Sequence, residues 1–263
     1  MAQIISGNVP IVYDDVGQGE PALLFLPGWC TNRTVFQSIL HLSSKYRRTL
    51  ALDWRGHGES GSPEADFGND DLVEDALSVI HASGVQRLVP VALSHAGWVA
   101  IELRKRLALR VEKLVLLDWI IMMQPPRQFF EALDGMQSAS RWRETVDRIF
   151  SVWLGDVDLP PLVHFVRQEM GAYGFDMWAR AAREISSAYA DMGTPLQILA
   201  SLIPQVPVTH LYAQPEDPGY LAAQEFFASS HPWFKVRRVH ARSHFPMFEV
   251  PDEMAKAIEE FVV

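Results

Sequence analysis

Short apolar runs recur along the chain and are separated by amphipathic stretches. Six runs have the length and composition of strands that are buried on both faces of a sheet. These runs cover residues 22–26, 48–52, 89–93, 111–119, 206–212 and 234–239. Apolar residues with helical spacing cover 35–42, 69–83 and 98–109. Alternation of strands and helices predicts an α/β fold with a mostly parallel central sheet flanked by helices.

Two parts of the chain depart from this alternation. Loose alternation over residues 4–16, interrupted by Pro10, predicts two antiparallel edge strands. Residues 120–204 contain successive helical stretches and no strand pattern. We expect this segment to form a helical cap over the sheet. The core domain would then comprise residues 1–119 and 205–263.

Composition narrows the class of protein. The chain has 263 residues, 48% of them hydrophobic and 21% charged, which is typical of a globular protein with one large domain and an insertion. Its net charge of −9 argues against nucleic acid or an anionic membrane as a partner. No apolar run approaches the roughly 20 residues that a membrane span needs. We expect no membrane association and a monomer.

Cysteine content and the N-terminal residues bear on the compartment. The single cysteine, Cys30, excludes an internal disulfide and is typical of a reducing compartment. Residues 1–10 lack the basic and apolar regions of a signal peptide. We therefore expect a cytoplasmic protein.

The apolar run at 89–93 ends abruptly at Ser94, and a helical pattern starts a few residues later. A serine on a sharp strand-to-helix turn is the nucleophile elbow of α/β-hydrolase folds. Ala92 and Ala96 stand where the usual G-x-S-x-G motif has glycine. Alanine is small enough to preserve the close approach of strand and helix. Taken alone, the motif is weak, and an ordinary strand-to-helix turn is the more common cause of such a pattern.

Two further motifs support the hydrolase fold. A D-x-R-G-x-G-x-S run occupies residues 53–60, directly after a predicted strand, and we expect its His57 to stabilise the loop. His244 follows the last predicted strand and precedes a Pro/Glu/Pro pattern and a closing helix. A serine early in the chain and a histidine near its end match the order of catalytic residues in α/β-hydrolases.

The acid that would orient His244 is ambiguous. Asp217 follows the penultimate predicted strand, where this fold most often places it, and Asp118 ends an earlier strand. Either carboxylate could hold the imidazole in one tautomer. The residues alone do not decide between them.

Motifs for metals and cofactors are absent from the sequence. The nine histidines are scattered, with no H-x-x-x-H pair on a helix and no Cys/His cluster. The chain has neither a phosphate-binding loop nor a dinucleotide fingerprint. We therefore expect no metal and no cofactor.

A closer resemblance lies in four segments. Residues 94–98 (SHAGW), 26–30 (LPGWC), 117–119 (LDW) and 152–155 (VWLG) resemble the cofactor-independent 2,4-dioxygenases of 3-hydroxy-4-oxoquinolines. The resemblance to the α/β-hydrolase superfamily covers essentially the whole chain. The closer resemblance to the dioxygenases implies an enzyme that cleaves the ring of 3-hydroxy-4(1H)-oxoquinoline with O2, releasing carbon monoxide and N-formylanthranilate. The partners would be a small aromatic substrate and O2, without metal or flavin.

The resemblance also implies roles for individual residues. It makes His244 the base, with Asp118 as its partner, and makes Ser94 a residue that orients the substrate without being acylated. The implied oxyanion hole is formed by the backbone N–H groups of Trp29 and His95. Trp153 and Cys30 are the implied pocket residues.

One departure and two alternatives stay open. Some relatives carry histidines where this chain has Thr31 and Leu93, so the ring substituent that is accepted is not determined. The main alternative is a serine hydrolase, an esterase or C–C bond hydrolase, in which Ser94 is a nucleophile activated by His244. The other is a binding protein without catalytic activity.

Overall fold

Eight strands form a single sheet in the order β1-β2-β4-β3-β5-β6-β7-β8. The computed structural model describes residues 1–263. The strands are β1 (Ala2–Ser6), β2 (Val9–Val16), β3 (Ala22–Leu26), β4 (Thr49–Leu52), β5 (Leu88–Leu93), β6 (Leu114–Leu117), β7 (Val208–Tyr212) and β8 (Phe234–Arg238). The β1–β2 and β2–β4 pairs are antiparallel, and all other pairs are parallel. The predicted fold class, an α/β-hydrolase fold with a mostly parallel sheet, is confirmed.

Eleven α-helices connect or cover the strands. They are α1 (Gln37–Ser43), α2 (Asn69–Ser83), α3 (Ala96–Leu107), α4 (Arg127–Met136), α5 (Trp142–Leu154), α6 (Pro160–His164), α7 (Phe175–Met192), α8 (Pro195–Ser201), α9 (Pro218–Ser230), α10 (Pro246–Glu249) and α11 (Pro251–Val262). Helix α2 packs on α3, and α1 packs on α11. No helix is both long enough and apolar enough to cross a bilayer.

Burial explains which apolar runs became strands. Strands β3 to β7 are buried at every position, as expected for parallel strands that are covered on both faces. The expectation of two edge strands near the N-terminus is wrong for one of them. β2 lies between β1 and β4, and Pro10 is tolerated there opposite Ile5 of β1.

Five helices, α4 to α8, fill the chain between β6 and β7, and this stretch contains no strand. Helix α7 packs against α4 and α5. The rings of Phe150 and Trp178 meet at 5.6 Å and are buried between these helices. This part of the chain therefore has apolar packing of its own. The division at residues 120 and 204 stays our prediction.

Helix α3 approaches the end of β6 closely enough to exclude any side chain at Gly97. A Cβ atom added there would overlap the indole of Trp119, which is itself 2% exposed. Gly97→Ala should lower the free energy of unfolding by about 1–3 kcal/mol because a buried indole has no room to move. Urea unfolding followed by tryptophan fluorescence measures this change.

Gly171→Ala is the matched control, because a Cβ atom there meets only Phe150, at 3.8 Å. Its free energy of unfolding should stay within about 0.5 kcal/mol of the parent. Equal destabilisation by both substitutions would contradict the close approach of α3 and Trp119.

Candidate active site

Three chain turns at one edge of the sheet adopt an unusual backbone conformation. Cys30 in the loop after β3, Ser94 after β5 and Asp118 after β6 have φ values of 57°, 52° and 45°. Residues with a Cβ atom rarely occupy this left-handed region, and those that do cluster at functional sites. β3, β5 and β6 are neighbours in the sheet. The three turns therefore mark a candidate site at the carboxyl ends of these strands.

The turn at Ser94 has the shape of a nucleophile elbow. The Ser94 N–H donates to the carbonyl of Leu117 at the end of β6, at 2.8 Å. The Ser94 carbonyl accepts from the N–H of Gly97 at 3.0 Å, and α3 begins two residues after the serine. Ser94 is partly exposed, and its Oγ makes no hydrogen bond within the protein. The serine therefore offers a free hydroxyl at the sheet edge.

Asp118 and His244 form the central pair of the site. The Asp118 carboxylate has no exposed surface, and His244 Nδ1 lies 3.3 Å from its Oδ1. The backbone N–H groups of Ala213 and Gln214 donate to the same carboxylate at 2.7 and 3.2 Å. Burial raises the pKa of Asp118, and the contact with His244 and these two donors oppose that rise. Because Nδ1–H of His244 donates to Asp118, Nε2 is left as the proton acceptor.

Trp153 of α5 packs on the imidazole of His244. The two rings stack, with centroids 5.1 Å apart and planes 19° from parallel. The backbone N–H of His244 donates to the Trp153 carbonyl at 2.8 Å. The predicted pocket tryptophan thus fixes both the ring plane and the backbone of the predicted base.

Two backbone N–H groups next to Ser94 have no acceptor within the protein. They belong to His95, which follows the serine, and to Trp29 in the loop after β3. That loop approaches Ser94 closely, since a Cβ atom on Gly28 would lie 3.9 Å from the Ser94 Cβ. Unpaired N–H donors on two converging loops are the arrangement of an oxyanion hole.

Comparison with known proteins decides the family. The model of the "Alpha/beta hydrolase family" matches residues 23–257. A 2-heptyl-3-hydroxy-4(1H)-quinolone dioxygenase of Mycobacteroides abscessus is 36% identical over 250 residues, covering 94% of this chain and 93% of that protein. The 1H-3-hydroxy-4-oxoquinoline 2,4-dioxygenase of Pseudomonas putida is 33% identical over 254 residues, or 96% of each chain. The chain belongs to the 3-hydroxy-4-quinolone dioxygenases of the α/β-hydrolase family.

Solved structures of this dioxygenase family superpose over the whole chain. A structure of 1H-3-hydroxy-4-oxoquinoline 2,4-dioxygenase has a TM-score of 0.95 at 31% identity and covers all of both chains. A structure of the enzyme AqdC, which cleaves the Pseudomonas quinolone signal, in complex with its product has a TM-score of 0.93 at 34% identity with the same coverage. The likeness therefore includes the helices between β6 and β7.

The structure answers the question of the acid geometrically. Asp217 caps α9, where its Oδ1 accepts from the N–H of Gly219 at 2.9 Å. Helix α9 accordingly starts at Pro218. Asp118, not Asp217, is the carboxylate that lies beside His244 in this dioxygenase.

The side chain of His95 packs among three aromatic rings. Its ring is 5.6, 5.8 and 6.2 Å from those of Tyr189, Phe129 and Trp119. Its Nδ1 is buried without a hydrogen-bond partner. Burial is the main cause that lowers the pKa of His95 to about 3, and the electrostatic effect of the nearby His244 contributes less. His95 is therefore a neutral imidazole at neutral pH.

Cys30 and the two positions that depart from relatives are buried. Cys30 has no exposed surface and packs in the core, and its role as a pocket residue stays a prediction. Burial raises the pKa of its thiol well above the ordinary value. Leu93 is fully buried, and Thr31 donates its Oγ1 hydrogen to the Gly28 carbonyl at 2.7 Å. Neither position presents a free polar group.

Two residues that hold the loop of His244 were not predicted from the sequence. The Nε2 group of Gln214 donates to the carbonyls of Arg242 and Trp153, at 2.8 and 3.4 Å, and so joins the loop of His244 to α5. Glu249 accepts from the N–H and hydroxyl of Ser243, at 2.8 and 2.6 Å, and braces the same loop. The Pro/Glu/Pro pattern after His244 was a signal for Glu249. Nothing in the local sequence indicated Gln214.

Buried histidines should make this dioxygenase sensitive to acid. Burial lowers the pKa values of His57 and His210 to about 4 and that of His95 to about 3, from an ordinary value of 6.5. The unfolded chain therefore binds protons first as the pH falls. The free energy of unfolding should have its full value above about pH 6.5. It should fall toward pH 4, by up to about 1.4 kcal/mol per pH unit for each histidine. Urea unfolding at pH 7 and pH 5 measures this loss.

His210→Gln should reduce the pH dependence of the free energy of unfolding by the contribution of one histidine. His41→Gln, at an exposed position, should leave it unchanged. If His210→Gln has the parent's pH dependence, the buried neutral state of His210 is disproved.

Proposed function

We propose that this dioxygenase cleaves the heteroaromatic ring of 3-hydroxy-4(1H)-oxoquinoline with O2, with His244 as the base. The observation that carries the proposal is the buried Asp118–His244 pair beside Ser94 at the sheet edge. Relatives that match almost the full chain are named for dioxygenase activity on 3-hydroxy-4-quinolones. The products would be carbon monoxide and N-formylanthranilate.

The first step is removal of the 3-hydroxyl proton by His244 Nε2. The Nδ1–H bond to Asp118 fixes the tautomer that leaves Nε2 unprotonated. The negative carboxylate then stabilises the imidazolium that forms. General-base catalysis of this kind typically contributes 10²- to 10⁴-fold to the rate.

The second step is reaction of the substrate anion with O2. The electron-rich anion reduces O2 and forms a C–O bond at C2, and the peroxide attacks the C4 carbonyl to close a bicyclic ring. Breaking the O–O, C2–C3 and C3–C4 bonds releases C3 as carbon monoxide. Both oxygen atoms of O2 stay in N-formylanthranilate, and His244 returns its proton to the product.

The N–H groups of Trp29 and His95 serve the second step. Attack on the C4 carbonyl develops negative charge on its oxygen, and two unpaired N–H donors beside Ser94 are suited to stabilise it. One such donor typically lowers the barrier by about 3 kcal/mol. Ser94 would bind and orient the substrate. Ser94 is partly exposed, so its hydroxyl is accessible to a substrate at the sheet edge.

Helices α4 to α8 complete the proposed site as a cap over the sheet edge. Trp153 brings one aromatic wall to His244, and a dry aromatic chamber favours reaction of the substrate anion with O2. We infer a monomer in the cytoplasm, and the single buried thiol supports a reducing compartment.

The reaction is tested by its gas balance. Purified protein with 3-hydroxy-4(1H)-oxoquinoline in air should consume O2 and release an equal amount of carbon monoxide into the headspace. Substrate should persist without air, because the anion then has no oxidant. The 2-heptyl analogue, assayed in parallel, defines the accepted substituent at C2. Unchanged substrate consumption without air would disprove the oxygenase.

Variants at the site separate a dioxygenase from a serine hydrolase. His244→Ala should lower kcat by about 10²- to 10⁴-fold, because proton removal loses its base. Ser94→Ala should retain a substantial share of kcat with a raised KM, because the serine only orients substrate. A serine hydrolase would instead lose nearly all turnover in Ser94→Ala. Carbon monoxide release under saturating substrate is the measurement.

A further inference from the structure

His57 packs against the loop that contains Trp29. The residue comes from the turn after β4 and is 1% exposed. Its Nε2 accepts a hydrogen bond from the backbone N–H of Cys30 at 3.1 Å. Its Nδ1 is 2.9 Å from the carbonyl oxygen of Arg55.

These two contacts determine the protonation state of the ring. Nε2 must carry a lone pair, because the N–H of Cys30 donates to it. Nδ1 must carry the proton, because the Arg55 carbonyl can only accept. Burial lowers the pKa of His57 to about 4, which keeps this neutral tautomer at neutral pH. Both nitrogens of His57 are therefore occupied, so the ring cannot transfer a proton to a substrate.

The Cys30 N–H is the point at which the loop is fixed. Cys30 has the left-handed φ of 57°, a conformation that a residue with a Cβ atom keeps only when its surroundings hold it. The indole of Trp29 lies 5.7 Å from the His57 ring and stacks on Phe67 at 5.9 Å. The backbone after Trp29 and its side chain are thus restrained by the same buried cluster.

The peptide before Trp29 is fixed as well. The Gly28 carbonyl accepts from the N–H and the Oγ1 of Thr31, at 3.3 and 2.7 Å. In a trans peptide the N–H points opposite to the carbonyl. The N–H of Trp29 therefore points away from Thr31, and it has no acceptor in the protein.

We infer that His57 is a positioning residue, which holds the loop 28–31 so that the Trp29 N–H meets the oxygen that becomes negative during ring cleavage. Tyr173, after α6, supports the same loop. Its hydroxyl accepts from the Gly58 N–H at 3.1 Å and donates to the Thr31 carbonyl at 3.5 Å. This inference rests on the proposed dioxygenase function.

A pair of amide substitutions tests the inference. In His57→Gln the side-chain oxygen reaches the place of Nε2 and can still accept from the Cys30 N–H. In His57→Asn it is too short to do so. We expect kcat for carbon monoxide release within about threefold of the parent in His57→Gln and about 10- to 100-fold lower in His57→Asn.

Substrate affinity without O2 distinguishes positioning from general damage. The anaerobic Kd, from an absorbance titration with 3-hydroxy-4(1H)-oxoquinoline, should stay within about twofold of the parent in both variants, because the Trp29 N–H acts on charge that develops later. Ile258→Ala in α11, buried and outside both loops, is the control for lost stability. It should lower the melting temperature with kcat unchanged.

Each outcome has one meaning. If the parent releases no carbon monoxide, the proposed function fails. If the parent is active and the two amide variants have equal kcat, or if His57→Asn changes only Kd, the role of His57 is overturned. Should His57→Asn fail to fold, Tyr173→Phe repeats the test on the same loop. A several-fold lower kcat at unchanged Kd supports the inference, and an unchanged kcat overturns it.

Discussion

Three neighbouring strand ends hold non-glycine residues in the left-handed backbone region, and the site depends on that constraint. Such a conformation costs about 1–2 kcal/mol at each residue, so it persists only where bonds to neighbouring parts of the chain enforce it. The Ser94 N–H is bonded to the end of β6, and the Asp118 N–H is bonded to Leu211 of β7 at 3.0 Å. The turns at Ser94 and Asp118 are thus held by the next strand of the parallel sheet, and the turn at Cys30 is held by His57.

The same edge holds a buried negative charge. A carboxylate without exposed surface is costly unless every oxygen is paired. Asp118 meets this condition through two backbone donors and His244. Breaking any of these contacts would leave charge in the core, so the orientation of the base is tied to the folding of the loop after β7. Stability and the chemistry of proton removal therefore rest on one set of bonds.

Neutral histidines are used in this protein as backbone acceptors. His57 accepts from the N–H of Cys30, and His210 accepts from that of Trp119 at 3.4 Å while its Nδ1 donates to Gln224 at 2.6 Å. In both cases the N–H follows a residue of the candidate site. A buried imidazole can accept a bond from a backbone N–H and donate one to another buried oxygen, which anchors a strained turn from inside the core.

The order of the elements was predictable from the residues alone, because burial on both faces requires continuous apolar runs and helices require their own spacing. Ser94 and His244 were predictable in the same way, since a pattern of small residues and a proline-rich turn are local signals. The choice between Asp118 and Asp217, the burial of Cys30 in the core and the contact of Gln214 with the loop of His244 became visible only in the folded chain. These outcomes depend on which groups meet across distant strands and on which backbone donors a carboxylate finds there, and no local pattern records either.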